Sequence, residues 1–326
     1  MKKLIVGGDF GDISKTSSIV NKLAKSMDAD IINGGTYEDL KNASSKMSSY
    51  DIVVWMPNID NSYSDISINK KVGSTLIVSK AIRDHTRNRG DAVARIFKYH
   101  ANAVIAIEYG YIFQFTLIDA LNNDWAKSNN IEDIAKGIKD IYKWTNGAIR
   151  EGTLRKKDNL DTLIEINKKV SQNVIEIQGR FFGNLSTRCA SLFPSKREKE
   201  GYLVSGRNTD KKQLQRTDMV ECIFEDNKIR YFGERKPSVD TPVQISIYEQ
   251  LPNINYMIHG HNFIKNAPTT EHYFPCGDKR EIEGIIELIG DSTHGVINLK
   301  NHGFLVYSST LDEMKNICEN MIIEEI

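Results

Sequence analysis

The sequence contains no apolar run near the roughly 18 residues that a membrane-spanning helix requires. It also lacks an excess of either charge. Lys and Arg total 43 and Asp and Glu total 43, so no net field favours nucleic acid or an anionic membrane. Cysteine is scarce: Cys189, Cys222, Cys276 and Cys318 are widely spaced and form no C-x-x-C pair. That spacing argues against a disulfide framework, and reduced thiols in a cytoplasmic protein are the simplest account. There is no internal repeat and no low-complexity segment. The opening MKKLIVGGDFGD begins like a signal peptide, but its apolar run is too short and stops at Gly7, Gly8 and Asp9. Hydrophobic residues make up 40% and charged residues 26%, which is ordinary for a soluble globular chain, and 326 residues leave room for two domains.

The first half reads as strands alternating with helices. Residues 3–7, 28–33, 51–56, 74–79 and 102–108 are short and almost continuously apolar, as strands buried on both faces should be. Helices are expected over 14–27, 37–48 and 92–100. The pattern predicts a doubly wound, Rossmann- or flavodoxin-like parallel sheet over residues 1–150. Its first turn, GGDFGD, is where such folds hold phosphates. It is not G-x-G-x-x-G, however, no G-K-[ST] occurs, and Asp9 and Asp12 would repel an anion. A tight turn that merely closes the sheet is the more economical reading. The basic loop from His85 to Asp91, with Arg87 and Arg89, is another anion candidate that reads better as a solvated loop, and residues 58–71 read as a polar connection or a lid. A charged, turn-rich stretch, REGTLRKKDN at 150–159, marks a boundary, and helical periodicity resumes at Leu163, Ile164, Ile166, Val170 and Val174.

The second half carries the chemistry. His259 and His261 sit two residues apart in a short apolar run. In a strand those positions project to one face. His302, in KNHG, supplies a third imidazole from a neighbouring strand. Three nitrogens leave a coordination position open, the arrangement of a catalytic zinc rather than a structural one. H-x-H alone would favour satisfied polar histidines at a strand end. Thr241-Pro242 reads as an N-cap followed by proline at the first helical position, which puts Asp240 at the mouth of a helix. GNLSTR at 183–188 offers backbone amides, Asn184, Ser186 and Thr187 as neutral donors, and Arg188 as a charge. Such a loop suits a phosphate, although alone it would read as a capped turn. Ser205, Gly206 and Ser238 add small donors where a backbone could approach a ligand. Cys276 reads as a core residue and His294 as a surface one. His85 and His100 have no evident partner.

Four motifs in order, GNLSTR, YLVSGRN at 202–208, KPSVD at 236–240 leading to His259-Gly260-His261, and Asn301-His302-Gly303, resemble the class II aldolase/adducin family over about residues 163–326. The resemblance implies an α/β/α domain over 160–326 and a divalent metal, zinc above all, on His259, His261 and His302. It further implies a small phosphorylated ketose bound through Gly183, Asn184, Ser186, Thr187, Arg188, Ser205, Gly206 and Ser238. A homotetramer and retro-aldol cleavage with Asp240 as base are also implied. SVDTP at 238–242 is similar to the pentulose-phosphate 4-epimerases of the family, as is YFPCGD at 273–278. The chain ends soon after residue 311, where many members carry a tail with a catalytic tyrosine, so Tyr273 and His272 become candidates for the acid. Adducin shows that the fold also serves as an interaction module without catalysis.

Overall fold

A computed structural model describes residues 1–7, 13–34, 36–56, 68, 71, 73–82, 89–154, 160–171, 176, 177, 180–190, 200–226 and 228–324. The GGDFGD turn beyond Gly7, most of the 58–71 connection, residues 85–88 of the basic loop and residues 155–159 of the expected boundary lie outside that set. The chain divides into two compact units, Met1–Asn146 and Gly147–Ile326.

In the first unit the apolar runs form β1 (Lys3–Gly7), β2 (Asp30–Asn33), β3 (Ile52–Met56), β4 (Thr75–Ile82) and β5 (Ala103–Glu108). They pair in parallel in the order β2-β1-β3-β4-β5, which is the flavodoxin-like doubly wound order. Alternate residues of one strand enter opposite cores. Ile5 packs with α1 (Ile13–Met27) and α4 (Ile131–Asn146), whereas Leu4 and Val6 pack with α2 (Tyr37–Lys46) and α3 (Arg89–Lys98). Period-2 side chains on a strand covered on both faces account for the near-continuous apolar runs.

Two features of this unit depart from the expected all-parallel sheet. β6 (Gln114–Asp119) and β7 (Asp124–Ser128) extend it antiparallel beyond β5, and α4 returns across the sheet with Ile131, Ile134, Ile138 and Ile141 buried. The β6–β7 turn is set by Asp119, whose carboxylate accepts from Leu121 N, Asn123 N and Trp125 Nε1, with Asn122 at φ 68°. Arg89, placed in a basic loop by the sequence, instead opens α3 and donates to the Asn122 carbonyl at 2.7 Å and to Asp124 at 2.5 Å. All three tryptophans of the chain, Trp55, Trp125 and Trp144, belong to this unit, and the rings of the last two lie 5.1 Å apart.

The second unit is built on one eight-stranded sheet. Its strands are β8 (Ala148–Gly152), β11 (Asn184–Ala190), β12 (Glu200–Ser205), β13 (Met219–Glu225), β14 (Lys228–Phe232), β15 (Tyr256–Gly260), β17 (His294–Leu299) and β18 (Gly303–Ser308). The order is β17-β18-β15-β11-β12-β13-β14-β8, antiparallel throughout except for the β14–β8 pair. Two small ladders, β9 (Glu176–Ile177) with β10 (Arg180–Phe181) and β16 (Phe263–Ile264) with β19 (Ile323–Glu324), lie apart from it. One face is covered by α6 (Thr241–Gln250) and α7 (Glu281–Ile289), through Val243, Ile247, Ile282 and Ile285. The other is covered by α5 (Asp161–Val170) and α8 (Leu311–Asn320), through Leu163, Ile166, Val170 and Met314. The result is an α/β/α sandwich. The first residues of the expected boundary, Arg150–Gly152, are part of β8 and so belong to the sheet of this unit.

Candidate metal centre

β15 lies between β11 and β18, with His259 opposite Asn184 on one side and Leu305 on the other. His261 follows its last residue, and His302 immediately precedes the first residue of β18, where Gly260 pairs with Phe304. The adjacent strands thus bring the three imidazoles together, with ring centroids 4.8, 4.8 and 5.2 Å apart. Two glycines permit the approach. Gly303 adopts φ 149°, and a Cβ there would stand 2.0 Å from the Gly260 carbonyl. Gly183 adopts φ 80°, and a Cβ would stand 2.5 Å from the His259 carbonyl. Only glycine fits such positions without displacing the backbone.

The protonation of the cluster follows from its surroundings. His259 Nδ1 lies 2.8 Å from the Phe304 carbonyl, which only accepts, so Nδ1 carries the hydrogen and Nε2 keeps its lone pair. Burial pushes the His259 pKa down to about 4, with the neighbouring His302 adding to the effect. Burial, then His259 and His302, hold His261 well below the usual imidazole range. Two neutral imidazoles at pH 7 are what a cation needs. His302 is fixed by Glu281, whose Oε1 lies 3.0 Å from its Nδ1.

Asp240 completes the group. Its carboxylate and the three histidines offer ligand atoms that all lie within 4.8 Å of one another, and all four residues are buried. The expected N-cap needs correction: Asp240, not Thr241, occupies the cap position of α6, and its side chain makes no capping bond. The carboxylate is turned toward the site instead. Oδ2 accepts from Asn184 Nδ2 at 3.0 Å and from Ser238 Oγ at 3.4 Å, and it lies 3.8 Å from His259 Nε2. Asn184 is locked in turn by Gln244, which donates to its Oδ1. Asp240 Oδ1 and His259 Nε2 are buried and make no hydrogen bond among the described residues. Orphaned acceptors in so close a cluster fit a divalent cation.

The residues of the expected phosphate loop lie mostly in a strand. Only Gly183 precedes a strand; Asn184, Ser186, Thr187 and Arg188 lie within β11. Ser186 Oγ is 3.0 Å from the Tyr248 hydroxyl, and Thr187 donates to the Arg188 carbonyl at 3.2 Å. Arg188 donates to the carbonyls of Ile254 at 2.6 Å, Leu251 at 3.0 Å and Tyr248. These groups tie β11 to the end of α6, because in a strand paired on both sides the amides are spent on the ladder. Ser205 Oγ accepts from Leu185 N at 3.1 Å, and Gly206 bridges to Pro237. Of the expected donors, Asn184 and Ser238 hydrogen-bond to Asp240 of the cluster.

Tyr273 is half-buried, three residues before Cys276, whose Sγ lies 3.0 Å from His302 Nε2. His272 is exposed beside Glu271, and His294 lies 3.3 Å from Glu313 at the start of β17. Cys276 is therefore at the site as well as buried. Glu281, Gln244 and Lys211 are further site residues that the sequence did not single out. Burial lowers Lys211 to about 8, and its charge acts on both His259 and His261. Burial likewise lowers Arg207 to about 10, offset in part by the charge of Asp240. Nothing local marks these residues; they become site residues only through tertiary contact.

No curated protein sequence matches the chain. Among solved structures, an L-fuculose 1-phosphate aldolase is similar over 51% of this chain and 82% of its own, at 20% identity and a TM-score of 0.38. A putative aldolase/epimerase/decarboxylase from Escherichia coli is similar over 48% of this chain and 81% of its own, at 21% identity and a TM-score of 0.36. A DNA/pantothenate metabolism flavoprotein from Streptococcus pneumoniae is similar over 43% of this chain and 97% of its own, at 11% identity and a TM-score of 0.31. Residues 162–272, which carry Asp240, His259 and His261, match the family model of the class II aldolase and adducin N-terminal domain.

Proposed function

We propose that the second unit is a divalent-metal enzyme that cleaves a carbon–carbon bond in a small phosphorylated ketose by retro-aldol chemistry. The observation that carries this reading is the buried cluster of His259, His261, His302 and Asp240 in the unit that carries the match to the class II aldolase family model. The three imidazoles would hold the ion, and zinc suits three nitrogens best. Once bound, the ion supplies Lewis acidity toward a carbonyl and the hydroxyl on the adjacent carbon. Asp240 takes up the substrate hydroxyl proton, or would join the imidazoles in holding the ion. Asn184 and Ser238 hold its carboxylate in place. Tyr273 is the proposed acid. Arg207, half-buried, and Lys211, buried, are cations whose charges act on Asp240 and His259 respectively. They favour an anionic substrate.

Epimerisation is the second reading, favoured by the serine–aspartate pair at 238 and 240, which the structure joins through Ser238 Oγ and Asp240 Oδ2. We place the protein in the cytoplasm as a homo-oligomer. Among the described residues no helix is long and apolar enough to cross a membrane.

The test is metal-loaded protein with a panel of ketose 1-phosphates and pentulose 5-phosphates, following aldehyde release and stereochemistry separately. Aldehyde from a 1-phosphate, lost in His302→Ala, is the expected result. An inverted pentulose without free aldehyde would establish the epimerase. Bound metal with no turnover would favour an interaction module.

A further inference from the structure

His302 is held at both ring nitrogens. Nδ1 lies 3.0 Å from Glu281 Oε1, and Nε2 lies 3.0 Å from Cys276 Sγ. Glu281 opens α7 and is 3% exposed, and His302 is 4% exposed. The cavity beside them is apolar along Val243, Ile247, Ile285 and Leu299. A carboxylate is expensive in such a place unless a donor meets it. His302 is the one side chain that hydrogen-bonds to the Glu281 carboxylate among the described residues.

An ionised carboxylate only accepts, so the hydrogen sits on His302 Nδ1. Nε2 then carries the lone pair, and in the ion-free protein it accepts the thiol hydrogen of Cys276. A protonated Glu281 donating to Nδ1 would give the opposite result, with Nε2–H and no lone pair for an ion. The tautomer of His302 therefore depends on its bond to Glu281. His259 obtains the same tautomer from a backbone carbonyl.

We propose that Glu281 is a positioning residue of the metal centre, accepting Nδ1–H of His302 and thereby fixing the tautomer and ring angle that aim Nε2 at the ion. This rests on the metal reading above and extends it to a residue outside the matched family segment. Glu281 does not touch the ion or the substrate; it acts through His302. A purely structural role, pinning α7 to the start of β18, would cost stability when lost but would leave the tautomer and the intrinsic metal affinity unchanged.

The experiment compares wild type, Glu281→Gln and Glu281→Asp, each purified without metal and titrated with zinc against a chromophoric chelator. Side-chain nitrogen NMR of the ion-free proteins reads the His302 tautomer, assigned by difference from His302→Ala. The expected result is the Nδ1–H tautomer in wild type and zinc affinity weakened about 10–100-fold in Glu281→Gln. Glu281→Asp, which keeps an acceptor, should lose less. Circular dichroism establishes whether each variant folds. If Glu281→Gln does not fold, the wild-type tautomer and Glu281→Asp decide the matter. An Nε2–H tautomer in wild type, or unchanged zinc affinity in folded Glu281→Gln, overturns the proposal. A wild type that binds no zinc overturns the metal reading itself, and this proposal with it.

Discussion

At the scale of single residues, the site combines groups that are costly apart and compatible together. Three buried imidazoles and a buried carboxylate cluster together, and three of the four are oriented by a second group: Phe304 for His259, Glu281 for His302, Asn184 and Ser238 for Asp240. Removing one ligand should therefore empty the site. Elemental analysis of His261→Ala and His302→Ala is expected to show most of the metal gone, with His100→Ala at the wild-type level. Full occupancy in His261→Ala would sink the ligand set. The same burial makes the ion-free protein sensitive to acid. An unfolded imidazole takes its proton near 6.5, whereas His259 in the fold takes it only at about 4. Between those values the unfolded chain binds more protons, so stability present above pH 6.5 is lost as pH falls toward 4. A shift of this size corresponds to about 3 kcal/mol for one group, and His261 acts in the same direction. Denaturant unfolding of ion-free protein across that window should show the loss, and a His259→Gln variant should show a shallower one. A flat profile would mean that the histidines are not buried as described.

At the scale of elements, β11 and the start of β18 do most to define the centre. Arg188 on β11 satisfies carbonyls at the end of α6, so Arg188→Ala should cost about 2–3 kcal/mol in stability. Its effect on substrate KM should be small, and a large KM increase without lost stability would restore Arg188 as a phosphate group. Gly303→Ala forces a Cβ onto the Gly260 carbonyl and should weaken the fold by about 3 kcal/mol or more and loosen metal binding with it. Wild-type melting of that variant would contradict the crossing. The elements also show what the sequence could and could not reveal. His259 and His261 were legible because strand periodicity puts i and i+2 on one face, and His302 because its motif stands next to an apolar strand. The parallel strands of the first unit were legible because burial on both faces leaves unbroken apolar runs. The helix over 131–146 has a clear isoleucine period that the expected strand–helix alternation passed over. GNLSTR reads as a phosphate loop because its hydroxyls and guanidinium suit a phosphate as well as they suit Tyr248 and three carbonyls, their partners in the fold. Glu281 and Cys276 were illegible as site residues, since only the packing of α7 against the sheet brings them to His302.

At the scale of the whole molecule, two units with separate cores follow one another along the chain. Limited proteolysis is expected to cut first beyond β8, at about residues 153–161, and to leave two resistant fragments. A fragment beginning at residue 147, which keeps β8 as the edge strand of its sheet, should fold better than one beginning at residue 160. Equal folding of the two by circular dichroism would mean that the edge strand is dispensable. The distribution of indole rings has an optical consequence. Trp55, Trp125 and Trp144 all lie in the first unit, so tryptophan emission is a private signal of that unit, and the close Trp125–Trp144 pair should add an exciton couplet to its circular dichroism. The half that holds the histidine cluster is lit only by tyrosine, and a melt followed by indole fluorescence alone would pass it by in the dark.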